Sequence, residues 1–234
     1  MSDPSVSPQP IVALDVPSLA AARDVVARLD HRAEFYKVGL QLFIAEGPAV
    51  VGWLRALGKR VFLDLKLHDI PNTVRLSVER AASMGVQLVT VHGLGGTRMI
   101  EAAVLGAGAE AGVLVVTVLT SMDAADLARV MGRPLSSARE EVLRFATDAR
   151  SVGAHGVVCG GAECRAVLDA AGAPLRVLVP GIRPAGAAAD DQRRLTTPEE
   201  ARHAGASYAV FGRAVTAAAD PAAAFDTLAR ALRG

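Results

Sequence analysis

Two opposite charges interrupt the apolar run Val61-Phe62-Leu63-Asp64-Leu65-Lys66-Leu67, and a third, Asp69, follows three residues after the second. Side chains of a strand alternate between faces, so Phe62, Asp64 and Lys66 should point one way and Val61, Leu63 and Leu65 the other. Burying a charge costs several kcal/mol unless the ion is paired and hydrogen-bonded. Two readings follow: a buried ion pair that fixes strand register, or charges kept for chemistry. Other apolar runs add Asp15 at the end of Ile11 to Val16 and Lys37 within Phe35 to Leu40, so that two lysines alternate with three carboxylates. Carboxylates on either side should keep both ammonium groups protonated. A charged, anchored lysine is a poor nucleophile and a good proton donor, which argues against a Schiff base and for general acid catalysis toward a developing carbanion.

A second constellation lies further along, in Pro180-Gly181-Ile182-Arg183 and Phe211-Gly212-Arg213. Each closes an apolar run, and the second opens a short helical turn. If the chain is a barrel, the loops after its last two strands are a common phosphate site, with backbone N–H groups facing the anion and Arg213 adding a bidentate contact. The competing reading makes Arg213 a solvated surface charge and Gly212 an ordinary turn. Other signals are weak. Gly93, Gly95 and Gly96 do not complete Gly-x-Gly-x-x-Gly, because Arg98 occupies the last position. His92 ends the fourth strand and could face the site, but it reads better as a hydrogen-bonded structural histidine; His68 reads as part of the backbone frame, while His31, His155 and His203 look peripheral. No His/Asp/Glu set has metal-ligand spacing, and Cys159 and Cys164 read as packing residues in a reducing cytoplasm.

The elements that must carry these groups are β-branched runs alternating with helical stretches. Eight candidate strands are Ile11 to Val16, Phe35 to Leu40, Arg60 to Lys66, Gln87 to His92, Val113 to Leu119, Gly156 to Cys159, Arg176 to Pro180 and Tyr208 to Phe211. Helices are predicted over Leu19 to Leu29 with Ser18 as cap, Leu42 to Leu57, Thr73 to Met84, Thr97 to Leu105, Ser137 to Val152, Ala162 to Ala171, Thr197 to Ala204 and Pro221 to Leu232. Such alternation predicts a single-domain α/β chain folded as a (β/α)8 TIM barrel over residues 10–234, with a doubly wound open sheet as the alternative. Residues 1–9 read as a flexible tail without a targeting pattern. Thr120 to Ser136 and Gly181 to Thr196 are the long loop-like stretches, and both follow strands, which places them on the face where barrels keep their chemistry. The chain has 51% hydrophobic and 21% charged residues and a formal net charge of +1. It should therefore be soluble, with no membrane span and no basic field for nucleic acid.

Asp64-Leu65-Lys66-Leu67-His68-Asp69-Ile70-Pro71-Asn72-Thr73 closely resembles the signature of the orotidine 5′-phosphate decarboxylase family. The likeness extends over Ile11-Val12-Ala13-Leu14-Asp15, Phe35-Tyr36-Lys37-Val38-Gly39, Val116-Thr117-Val118-Leu119-Thr120-Ser121, Pro180-Gly181-Ile182-Arg183-Pro184, Asp191-Gln192-Arg193-Arg194 and Phe211-Gly212-Arg213-Ala214-Val215-Thr216. Asp-x-Lys-x-x-Asp alone would point only to a superfamily; the ordered set is far more specific. The resemblance implies decarboxylation of orotidine 5′-phosphate to UMP without a cofactor or metal. By the same likeness, Lys66 donates the proton to C6, Asp64 lies beside the substrate carboxylate, Lys37 links it to the ribose, and Asp15 binds a ribose hydroxyl. Asp69, with Ile70 and Thr73, is implied to reach the partner's site in a homodimer. Thr120 is implied to lie near the base, and Pro180, Arg183, Gln192, Gly212 and Arg213 to grip the substrate and its phosphate. Val179 and Asp190 depart from the Thr and Gly expected there, which bears on loop detail rather than on the reaction. Two alternatives are a metal-dependent sugar-phosphate decarboxylase or synthase of the same superfamily and a non-catalytic nucleotide-binding barrel. The resemblance implies that the first needs an acid near the end of the second strand, where this chain has Lys37.

Overall fold

The computed structural model describes residues 8–184 and 196–234. Eight parallel strands close into a barrel in sequence order: β1 (Gln9–Leu14), β2 (Phe35–Gly39), β3 (Arg60–Leu67), β4 (Leu88–His92), β5 (Gly112–Val116), β6 (Gly156–Val158), β7 (Arg176–Ile182) and β8 (Tyr208–Phe211). The seam is made by β1 and β8, paired from Gln9 with Tyr208 to Val12 with Phe211. Around the barrel run α1 (Leu19–Leu29), α2 (Leu40–Glu46), α3 (Ala49–Ala56), α4 (Pro71–Ser83), α5 (Gly96–Ala107), α6 (Ala124–Met131), α7 (Ala138–Ser151), α8 (Gly161–Ala171), α9 (Pro198–His203), α10 (Arg213–Thr216) and α11 (Pro221–Arg233).

Local chemistry explains the helix starts. Ser18, Ser137 and Asp220 each accept a hydrogen bond from a backbone N–H of the first turn, and Thr197 with Glu200 forms a reciprocal capping box ahead of α9. The strands divide the apolar residues between two cores. Ile11, Ala13, Phe62, Leu114, Leu178 and Val210 are among those that fill the barrel interior. Their neighbours along each strand, such as Val12, Val61, Val115 and Val177, face outward and join the helices in the larger core. Burial of both faces is why the strands read as nearly continuous apolar runs.

The doubly wound alternative is excluded by the closed barrel. Several boundaries also differ from expectation. Gln9 is the first residue of β1 rather than part of a tail, and β1 stops at Leu14, so Asp15 follows the strand. Likewise β5 ends at Val116 and β7 runs on to Ile182. The single helix predicted over Leu42 to Leu57 is two, because Gly47 adopts a positive φ of 61° and Pro48, which has no N–H to donate, is the N-cap of the second. Thr120 to Ser136 is not a plain loop, since it contains α6, held by a capping box between Asp123 and Asp126.

Candidate active site

The carboxyl ends of β1, β2 and β3 bring four charges into one line. Lys37 on β2 donates to Asp15 Oδ1 at 2.8 Å and pairs with Asp64 Oδ2 at 3.4 Å. Lys66 donates to the other oxygen of Asp64 at 2.9 Å. The order is therefore Asp15, Lys37, Asp64, Lys66, with the signs alternating. The Asp64 side chain is 12% exposed and that of Lys37 10%, against 33% for Lys66 and 58% for Asp15. Burial tends to push the Asp64 carboxyl up, but the two ammonium groups and the hydrogen bonds from Lys66 and Thr90 outweigh it and hold Asp64 below the usual carboxylate range.

Lys66 does not continue the regular alternation of its strand. Its φ is +51°, in the left-handed region, and the β3–β4 register slips between Leu63 and Leu67, where four residues of β3 advance against two of β4. Such a conformation costs a non-glycine residue about 1–3 kcal/mol and persists only where its surroundings hold it. Thr90 on β4 supplies part of that hold. Its hydroxyl accepts the Lys66 backbone N–H at 2.9 Å and donates to Asp64 Oδ1 at 3.0 Å, and the residue is fully buried. Sequence reading passed over Thr90 because a threonine in an apolar strand looks like a β-former.

Gly39 was missed for a different reason. A Cβ there would lie 2.7 Å from Asp15 Oδ1 and 3.0 Å from Lys37 Nζ, so the ion pair passes through space that a side chain would occupy. Its φ of −94° is open to any residue, and the demand for glycine is therefore steric. The signal was present in Lys37-Val38-Gly39, a glycine closing a strand immediately beside a buried lysine.

These groups border a cavity of about 410 Å³. Its apolar lining includes Ala13, Phe62, Val158, Leu178 and Val210, and its rim includes Thr120, Pro180, Arg183, Gly212 and Arg213. The structure thus brings both predicted constellations to one opening. Gln192 lies outside the described residues. Asp69, Ile70 and Thr73 do not line this cavity; Asp69 and Ile70 are exposed at the turn into α4, with Ile70 67% accessible. His92 is held as a structural histidine, its Nδ1 accepting the Leu94 N–H at 3.2 Å. Cys159 and Cys164 are buried and not disulfide-bonded. Among the described residues no helix is long and apolar enough to cross a membrane.

A charge-alternating line beside a rim that carries glycine and arginine suits a substrate with an anionic tail and a reacting centre that becomes negative. Comparison with known proteins agrees. The family model for "Orotidine 5'-phosphate decarboxylase / HUMPS family" matches residues 8–228. An orotidine 5′-phosphate decarboxylase of Anaeromyxobacter sp. (strain K) is 50% identical over 94% of this chain and 96% of its own length. That of Halorhodospira halophila is 48% identical over 95% and 94%. The crystal structure of orotidine 5′-phosphate decarboxylase from Lactobacillus acidophilus superposes with a TM-score of 0.85 at 35% identity, covering 97% of this chain and all of that one. With a matching model over nearly its whole length and relatives at half identity, the chain belongs to the orotidine 5′-phosphate decarboxylase / HUMPS family.

Proposed function

We propose that this protein is the decarboxylase that converts orotidine 5′-phosphate to UMP and CO2, the last step of de novo pyrimidine biosynthesis, working in the cytoplasm. The observation that carries the reading is the Asp15–Lys37–Asp64–Lys66 line at the mouth of the cavity. Loss of CO2 leaves an electron pair in the plane of the pyrimidine at C6, where the ring delocalises it poorly. A cation fixed beside that carbon stabilises the developing charge, and the effect is strong where water is excluded. Lys66 is that cation, and it then transfers a proton from Nζ to C6. The C6–carboxylate bond breaks, its electron pair stays on C6, and the pair takes up the proton. Asp64 faces the substrate carboxylate and fixes both lysines; Lys37 and Asp15 meet the ribose hydroxyls. Thr120 lies near the base, and Pro180, Arg183, Gln192, Gly212 and Arg213 hold the substrate and its phosphate. Binding energy from that remote end can be spent on the reacting end.

The active form is a homodimer in which Asp69, Ile70 and Thr73 complete the partner's site. The exposure of Asp69 and Ile70 on the turn that follows the Lys66 strand supports this. A metal-dependent sugar-phosphate reaction is disfavoured because Asp15 and Asp64 are already engaged by the Lys37 ammonium. Purified protein in excess EDTA should deplete the ultraviolet absorbance of orotidine 5′-phosphate at an undiminished rate. Turnover lost in EDTA and restored by Mg2+ would overturn the assignment. Mixing Lys66→Ala with Asp69→Ala protomers should recover part of the activity after subunit exchange, and no recovery would count against the shared site.

A further inference from the structure

Lys66 stands on a strained and irregular strand end, and Thr90 accounts for only its backbone N–H. Two residues after each of Lys66 and Thr90 lies a second contact. His68 follows Lys66, His92 follows Thr90, and the two rings stack with centroids 5.7 Å apart and planes inclined by 21°. That separation lies within the range of offset aromatic pairs. The His92 ring is itself fixed, because its Nδ1 accepts the Leu94 N–H at the first turn after β4. Gly93 behind it leaves room for no side chain, since a Cβ there would meet Phe145 at 2.9 Å. His92 is thus anchored to its own turn, which is backed by α7, and presents a ring face to His68. Burial, with His68 and Lys66 nearby, also keeps the His92 imidazole below its ordinary pKa, which favours a neutral stacking partner.

We propose that His68 and His92 are positioning residues whose ring stack, together with the Thr90 hydroxyl, clamps the end of β3 so that the Lys66 ammonium is held at the reacting carbon. The clamp has two rungs, Thr90 under Lys66 and His92 against His68. Neither ring lines the cavity that Lys66 borders. The inference rests on the proton-donor role proposed for Lys66.

Because His68 is exposed, its replacement leaves the core intact. For His68→Ala, kcat should fall roughly tenfold to a hundredfold, while KM and the affinity for UMP stay within about threefold, the pattern of an interaction needed only in the transition state. His68→Phe keeps a stacking ring without the imidazole nitrogens and should recover kcat to within about threefold of the parent. The His68→Ala/His92→Ala double variant should lose little more than His92→Ala alone, as expected of residues acting as one unit. Parental kcat in His68→Ala, a phenylalanine variant no better than alanine, or additive losses would each overturn the clamp. Lys66→Ala measured alongside separates the two readings. Turnover kept by Lys66→Ala would overturn both, whereas turnover lost there with His68→Ala at parental kcat would overturn the clamp alone.

Discussion

The two ends of the barrel are both rich in charge, yet they use it in opposite ways. At the amino-terminal end the Arg60 guanidinium lies 4.4 Å from the centroid of Phe35 and donates to Gln9. Phe35 meets Tyr208 edge-on at 6.5 Å, and the Tyr208 hydroxyl joins His155 Nε2 at 2.9 Å and Arg176 at 3.5 Å. Every cation named there is satisfied by a neutral ring, amide or hydroxyl, and the chain of contacts plugs the barrel. At the carboxyl end Lys37 and Lys66 are each satisfied by an anion, and Asp64 is shared between them. A neutral partner gives a charge a comfortable place and nothing further to do. A shared anion leaves a balance that an incoming negative group can disturb, and this is the electrostatic condition for chemistry rather than for closure.

The contrast can be broken most sharply at Lys66. Lys66→Ala should lower turnover by about ten-thousand-fold or more, as expected when electrostatic stabilisation and proton donation are lost together, while UMP affinity measured by calorimetry changes by less than about tenfold. Gly39→Ala tests the packing of the same line: its Cβ would displace Asp15 from Lys37, and KM should rise about tenfold with a smaller change in kcat. Tyr208→Phe attacks the plug. It removes a partner from both His155 and Arg176, so the thermal midpoint should fall by roughly 2–6 °C, a cost of about 1–2 kcal/mol, with kcat unchanged. Large kinetic effects of Tyr208→Phe would dissolve the distinction between the two ends.

The smallest effect sharpens the comparison through pH. Burial, then the nearby Arg176, holds the His155 imidazole below its ordinary value of 6.5. The unfolded chain therefore takes up a proton first as the pH falls through that value, and the stability present above it is lost on the way down to the folded pKa. His155→Gln keeps a partner for Tyr208 and removes the titration. Between pH 7.5 and 5 its thermal midpoint should drop less than the parent's, by on the order of a degree or two, since solvent screens a half-buried group. An equal drop in both proteins would remove His155 from the acid response.

Much of this arrangement is legible in the sequence. Strand period and glycine-terminated helices predicted eight βα units, and polar residues at the ends of apolar runs named Asp15, Lys37, Asp64 and Lys66, because buried charge is rare enough to stand out. What stayed hidden depends on relations between elements. Thr90 looks like any strand threonine until its hydroxyl is found between Asp64 and the Lys66 backbone. The bulge in β3 has no glycine to announce it, as a lysine takes the left-handed conformation. α6 escaped notice because its cap pairs two aspartates and only Leu127 among its residues is buried. Glu141 on α7 likewise shows no anomaly in an amphipathic helix, yet it is fully buried between Arg133 and Arg144.

The unequal exposure of the two lysines has a consequence for repeated turnover. In the proposed reaction Lys66 ends each cycle as a free amine, and the next substrate requires an ammonium. Lys37 transfers no proton in that reaction and is the more enclosed, at 10% exposure, whereas Lys66 at 33% stays in reach of water. On that proposal, the same partial opening at the Lys66 end of the line that would weaken its field if no substrate covered it would be the route by which the enzyme is recharged.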